Sequence, residues 1–466
     1  MRFFWALRKR IKRTREKFKT NKILFGFIRK WNDNMVKKEK SDVKIGIRIL
    51  EIVLFMYVFF PFRIKIMANV QAYLLYTLEL ILVVLFGAEL WYNNLKKKWL
   101  YPLFLFFLIF LVLMAMTFIL PIIKDTMDFS YFKYHFDVLK KMVVIFGLAY
   151  LCTDMHAFLK IFVCATTIYV LITTVMLIPS LHSLYSNLVV QGSSLNYEHL
   201  QTARFYTRIG LQGFSGYTWT FRCTLSVGIC CCGYIMKDFN FSNFEVVFMG
   251  IVNLVGTFFY GRTGTIIACL CIFLTAVYQF FILRKGYLVV ALLSIVLIMV
   301  FLFLFNLDYI QKNASLAWMF EGFLNVVQSG KFTTGSSSYI VNRMFVPMST
   351  DTFFFGDARY TEASGLFYRG TDLGVMRPLL FWGVVGQIAY YMMPLTLLIS
   401  IKRHLDRKHN IFFVTIMLCI FLGFELKGEI NFEYCIMLLG MYFTIMKGFF
   451  TERVYIKVNR SKKLRM

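Results

Sequence analysis

The sequence predicts an all-α polytopic membrane protein with about 12 transmembrane helices and two large extracytoplasmic loops. Three observations lead there. The chain has 466 residues, 59% of them hydrophobic and 17% charged, and its mean hydropathy of +0.64 lies outside the range of soluble globular domains. Apolar stretches of spanning length recur along most of it. The basic residues gather at the two ends, where residues 1–44 hold 16 Lys and Arg against 4 Asp and Glu, and residues 447–466 hold 7 against 1. Basic tails beside hydrophobic spans obey the positive-inside bias and are drawn to anionic lipid, so the net charge of +27 points to membrane lipid as a partner and not to nucleic acid.

The spans read at about 46–62, 70–91, 99–122, 140–155, 157–179, 216–236, 245–260, 264–283, 286–306, 376–400, 411–424 and 431–448. The first is weakened by Arg48 and Glu51, and the fourth and fifth are short and interrupted by Asp154 and His156. Twelve passes put both termini on one side. With that side cytoplasmic, the loops carrying Lys96–Lys98, Arg284–Lys285 and Lys402–Lys408 face inward, while a short loop with Arg63 and Lys65 falls outside. The expected organisation is a basic cytoplasmic segment at 1–44, a membrane domain at 45–448 with outer loops at about 180–215 and 307–375, and a basic cytoplasmic tail at 449–466. The second outer loop has 6 acidic and 5 basic residues and many aromatics, which predicts a loop folded against the membrane. The ten cysteines lie in or beside apolar runs and read as small hydrophobes, with neither a disulfide framework nor metal-ligand spacing. No internal repeat of the kind that builds transporters is visible.

Charge on the outer side is where function is legible. Arg262 is the one charged residue between Val246 and Leu283. A guanidinium at the bilayer centre costs roughly 2.5–3.5 kcal/mol, whereas at an outer turn between Gly261 and Gly264 it can reach headgroups or a wet cavity. There it reads as a bidentate ligand for phosphate or as a hairpin cap that touches outer headgroups. The outer stretch 191–219 adds Glu198, His199, Arg204 and Arg208 ahead of Gly210, Gly213 and Gly216, and reads as an anion cradle or as a solvated amphipathic helix. His199 is a candidate general base because imidazole titrates near neutrality. In the large loop, Gly335–Ser338 reads as an oxyanion-binding segment or a turn, and Arg343 follows. Asp372 and Arg377 stand where the loop re-enters the membrane. The last outer turn carries Glu425, Lys427, Glu429 and Glu433. Glu425 and Glu429 would share a helix face, which is unfavourable unless a cation or substrate separates them. Both signs of charge on one surface favour a ligand with an anionic part and a hydroxyl-rich part.

These residues resemble the Wzy-type oligosaccharide repeat-unit polymerases of bacterial O-antigen and capsule assembly, relatives of the O-antigen ligases. The resemblance covers about residues 100–445. It lies in the span plan and in "TRIGLQGFSGYT" (207–218), "YGRTG" (260–264), "GKFTTGSSSYIVNRM" (330–344), "FGDARY" (355–360), "TDLGVMRPLLFWGVVG" (371–386) and "FELKGEI" (424–430). It implies a GT-C-like membrane glycosyltransferase in the bacterial inner (cytoplasmic) membrane, with both termini cytoplasmic and the active site outside. A growing chain would leave its undecaprenyl diphosphate and pass to a sugar hydroxyl of the incoming lipid-linked unit. Lipid-linked donor and acceptor are the implied partners, together with a chain-length regulator and a flippase. Arg262 and Arg208, with Arg204, Arg343 and Arg377, would stabilise the departing diphosphate, and Asp372, Glu429, Glu425 or His199 would take the acceptor proton. No cofactor or metal is expected, because no DxD pattern occurs in an outer loop. Two alternatives remain. An O-antigen ligase would share the arginines, but the ligases generally use a histidine in the large outer loop, and residues 307–375 contain none. A lipid-linked oligosaccharide transporter would need charges lining the span interiors, and apart from Arg48, Glu51, Glu79, Glu89, Arg222 and a few border residues the spans are clean.

Overall fold

The computed structural model describes residues 42–60, 73, 77, 80–87, 97–188, 206–237 except 212 and 215, 241–286, 303–405 and 409–463. The chain divides into two units, Met1–Val53 and Leu54–Met466. The first is described only from Asp42, where it is helical. The candidate site lies in the second.

The architecture is helical. In chain order the elements are α1 (Asp42–Phe59), α2 (Lys97–Ile123), α3 (Ser130–Leu151), α4 (Met155–Val175) and α5 (Pro179–Leu188), then the two-residue strands β1 (Ile209–Gly210) and β2 (Gly213–Phe214), which pair antiparallel. There follow α6 (Tyr217–Met236), α7 (Asn243–Tyr260) and α8 (Arg262–Phe281), then five short helices: α9 (Leu307–Lys312), α10 (Ala314–Met319), α11 (Glu321–Ser329), α12 (Gly335–Tyr339) and α13 (Thr350–Phe355). The last three are α14 (Met376–Lys402), α15 (Asn410–Glu425) and α16 (Asn431–Lys463). Among the described residues, six helices are long and apolar enough to cross a membrane: α2 from Tyr101, α4, α6, α7, α8 and α14. The protein is therefore an all-α membrane protein. The expected span at 286–306 falls mostly outside the described residues.

Burial is inverted relative to a soluble domain. Phe104, Leu108, Leu111, Val112 and Ile119 of α2 are exposed, whereas α6 is buried on nearly every face. Small residues let neighbours approach α6 closely. A Cβ on Gly228 would meet Ile420 Cδ1 at 2.5 Å, and one on Gly264 would meet Thr220 Cγ2 at 1.9 Å. Cys230, Cys231 and Cys232 are buried on the same helix as small apolar side chains.

Side-chain contacts fix which helix ends lie together. At one end, the Tyr131 hydroxyl at the start of α3 donates to Glu429 Oε1 at 2.7 Å, and Arg377 at the start of α14 pairs with Glu429 Oε2 at 3.2 Å. At the other, Lys160 pairs with Glu245 at 3.0 Å, Tyr278 bonds His409 at 3.0 Å, and Lys447 reaches the Cys152 carbonyl at 3.0 Å. The fourth expected span starts ten residues too late: α3 begins at Ser130. Its first half hides from a hydropathy reading because Lys133, Asp137, Lys140 and Lys141 interrupt it, yet Tyr131, His135 and Val138 are buried between them. Asp154 and His156 stand at a helix start, where the Asp154 side chain accepts the Ala157 N–H at 2.8 Å and caps α4.

The large loop is a run of short helices docked on the bundle. Its second half is fastened to a break in α14, where Gly383 adopts φ 73° and the turn before it releases its carbonyls. Asp357 and Ala358 donate their N–H groups to the carbonyls of Leu380 (2.6 Å) and Phe381 (3.2 Å). Thr126 binds the Ala358 carbonyl at 2.8 Å and Lys124 the Gly356 carbonyl, which ties the same segment to the α2–α3 turn. Non-helical backbone at a membrane border is tolerated where such partners satisfy it.

Candidate functional site

At the end of the bundle where α6, α8, α14 and α16 begin, charged side chains from four chain segments form one band. The segment before α6 supplies Arg208, the α7–α8 junction Arg262, the end of the large loop Asp372 and Arg377, and the α15–α16 turn Lys427 and Glu429.

Arg262 is the first residue of α8, where its charge opposes the helix dipole. Its guanidinium donates to the Trp318 carbonyl at 3.0 Å and pairs with Glu321. Arg262 Cζ lies 4.8 Å from the Trp318 ring centroid and Arg208 Cζ lies 4.4 Å from it, so one buried indole carries two guanidiniums. The neighbouring glycines do not serve a special turn, since Gly261 has an extended φ of 174°. What they supply is space: a Cβ at 261 would lie 2.8 Å from Thr220 Oγ1.

Lys427 is within electrostatic reach of both arginines and of Asp372. Burial, reinforced by Arg208 and Arg262, pushes its ammonium down to about 8. Asp372 faces the opposite pressure. Burial raises its carboxyl above the ordinary value, against the lowering pull of Lys427 and Arg377, and its buried Oδ1 has no hydrogen-bond partner among the described residues. An electron pair on a carboxylate of raised basicity, beside a cation cluster, is what general-base chemistry requires.

The second half of the band is built on Arg377. Its guanidinium lies 3.9 Å from the Tyr360 centroid and 4.1 Å from that of Phe367, while its buried Nε and Nη2 have no hydrogen-bond partner among the described residues. Glu429 accepts from Arg377, from the Tyr131 hydroxyl and from the Tyr360 hydroxyl at 3.0 Å. Tyr131 and Tyr360 stack with centroids 4.0 Å apart. Tyr360 is placed by Asp128, whose Oδ2 accepts the N–H groups of Tyr360 and Thr361, each at 2.7 Å. Burial would raise the Asp128 carboxyl, but the hydrogen bonds from Ser130, Thr361 and Tyr360 outweigh it and hold it below the usual range.

The structure thus brings together Arg208, Arg262, Arg377, Asp372 and Glu429. Arg343 is exposed on the π-turn Ile340–Met344, and no hydrogen bond or ion pair joins it to the band among the described residues. Arg204 and His199, with Glu198, lie outside the described residues. Glu425 and Glu429 do not share a helix face, because α15 ends at Glu425 and a turn intervenes. Glu425 is buried, and its Oε1 accepts the Ile430 and Asn431 N–H groups at 2.7 Å each, tying that turn. The Gly335 segment does hold an oxyanion, the chain's own: Gly335 N–H donates to Glu321 Oε1 at 2.8 Å. Trp318, Glu321, Tyr131, Tyr360 and Asp128 join the band in the structure without a sequence signal that marks them as site residues. Aromatics make up 18% of the chain, so no local signal distinguishes these three.

No family model, curated protein or solved structure matches the chain.

Proposed function

We propose that this protein is a membrane glycosyltransferase that polymerises undecaprenyl-diphosphate-linked oligosaccharide repeat units into O-antigen or capsular polysaccharide, as its resemblance to the Wzy-type polymerases implies. The observation that carries the reading is the convergence of Arg208, Arg262 and Lys427 beside Asp372 at one end of the bundle. Three cations answer the charge that develops on a departing diphosphate, and a carboxylate with an unbonded oxygen answers the acceptor hydroxyl.

In this reaction the acceptor hydroxyl gives its proton to Asp372 as its oxygen bonds the anomeric carbon of the donor sugar. The bond from that carbon to the phosphate oxygen breaks, and the electron pair leaves with the lipid diphosphate. Arg208, Arg262 and Lys427 hold that diphosphate. Arg377 and Glu429, locked by Tyr131 and Tyr360, form the rigid wall beside Asp372. The band belongs to the extracytoplasmic side in a twelve-span arrangement with both termini cytoplasmic. Supporting that orientation, the opposite end of the bundle carries Lys237, Arg284, Lys285, Lys402 and Arg403. The host membrane in this reading is the bacterial cytoplasmic membrane, where a flippase would deliver the lipid-linked units and a chain-length regulator would act on the product.

The test is reconstitution of the purified protein with undecaprenyl-diphosphate-linked repeat units and display of the products as a ladder. Wild type is expected to give a ladder, and Arg262→Ala and Arg208→Ala to lose it by about a hundredfold or more in rate. Transfer of a single chain to a lipid-core acceptor without a ladder would identify a ligase, and passage of intact lipid-linked units across the bilayer a transporter.

A further inference from the structure

Resting on the diphosphate reading above, we infer that Trp318 is a positioning residue that holds Arg208 and Arg262 as one preformed fork for the two phosphates of a lipid diphosphate. Both guanidinium carbons lie over the one indole, 4.4 and 4.8 Å from its centroid. The two cations can therefore be no farther apart than the sum of those distances, a span that one diphosphate bridges. Two like charges set against one ring repel each other, and the negative π-cloud of the indole offsets that repulsion. Glu321 pairs with Arg262 and offsets part of its charge.

The arginines come from segments far apart in sequence, one before α6 and one at the start of α8, and Trp318 comes from a third, α10. Trp318 is 6% exposed, so its orientation is fixed by packing and not by solvent. Its carbonyl also accepts from Arg262 at 3.0 Å, which registers α10 on α8 independently of the ring face. The indole thus sets the spacing of the fork before any anion arrives, and binding does not have to gather the two cations.

The measurement is pyrophosphate affinity of the full-length protein in nanodiscs by calorimetry, with mono-, di- and trifluorotryptophan placed at position 318 by nonsense suppression. Fluorination drains the ring face while keeping its shape and the backbone carbonyl, so folding and packing are preserved. A stepwise loss reaching about tenfold with the trifluoro ring is expected. A flat series, with Arg262→Ala still abolishing binding, would mean that Trp318 only fills space, and the inference would fall while the diphosphate reading stood. Arg208→Ala and Arg262→Ala binding pyrophosphate as wild type does would remove that reading and the inference with it.

Discussion

Arg262 begins a helix whose dipole disfavours it, by about 0.3–1 kcal/mol at an exposed terminus, and it is held there by Trp318 and Glu321. The Glu321 carboxylate occupies the guanidinium that a phosphate would use. Glu321→Gln is therefore expected to tighten pyrophosphate binding about fivefold, about 1 kcal/mol for a partly exposed ion pair, as calorimetry would register. Lys427 gives a pH dependence of definite sign. Its folded-state value of about 8 lies below the ordinary lysine range, so it is charged below that pH and loses its proton as pH rises through it. Pyrophosphate affinity should fall across that window, and Lys427→Arg should flatten the dependence. For Asp372 the raised carboxyl shifts the acid limb of turnover upward from that of an ordinary carboxylate. Asp372→Asn should lower single-turnover rate by about 10²–10⁴-fold and abolish the limb, with lipid binding retained. Arg262, Asp372 and Lys427 were legible in the sequence because a charge stands out beside an apolar run, whereas Glu321, inside the polar loop, was not. The partners were not: Trp318 and Arg208 are more than a hundred positions apart, and nothing local in either stretch encodes their contact.

Among the elements, helices with continuous apolar faces were legible from length and composition, and α6, α7, α8, α14 and α15 fall close to where hydropathy puts them. The exceptions have physical causes. In α3 the lysines interrupt the hydropathy signal, and one of them, Lys141, joins Arg222 around Glu433, with Arg222 at 2.8 Å. The break in α14 was invisible because Gly383 looks like any helical glycine until the Asp357 and Ala358 N–H groups take the carbonyls before it. Gly383→Ala would force a side chain into a left-handed conformation, with its Cβ 2.2 Å from the Phe354 carbonyl oxygen. It should destabilise the protein by about 1–3 kcal/mol and speed amide exchange across 354–361. Asp128 fastens the same segment. Its folded-state carboxyl is depressed, so its stabilisation is present above the unfolded-state value and is lost as pH falls through the folded one. Asp128→Asn should remove that acid dependence and loosen Tyr360, raising amide exchange at Tyr360 and Thr361 at neutral pH.

For the molecule as a whole, the membrane class followed directly from composition, because no soluble core could bury so much apolar surface. The gathering of one site from four segments did not, since it depends on helix order and packing in three dimensions. A transferase and a transporter built on this bundle would differ in what happens to the lipid carrier. The decisive measurement is the undecaprenyl diphosphate released per sugar linkage formed, followed in proteoliposomes supplied with lipid-linked repeat units. One carrier is expected to be freed for each unit joined, with both yields collapsing together in Arg262→Ala. Consumption of lipid-linked units on one face with their intact reappearance on the other, and no carrier freed, would contradict it.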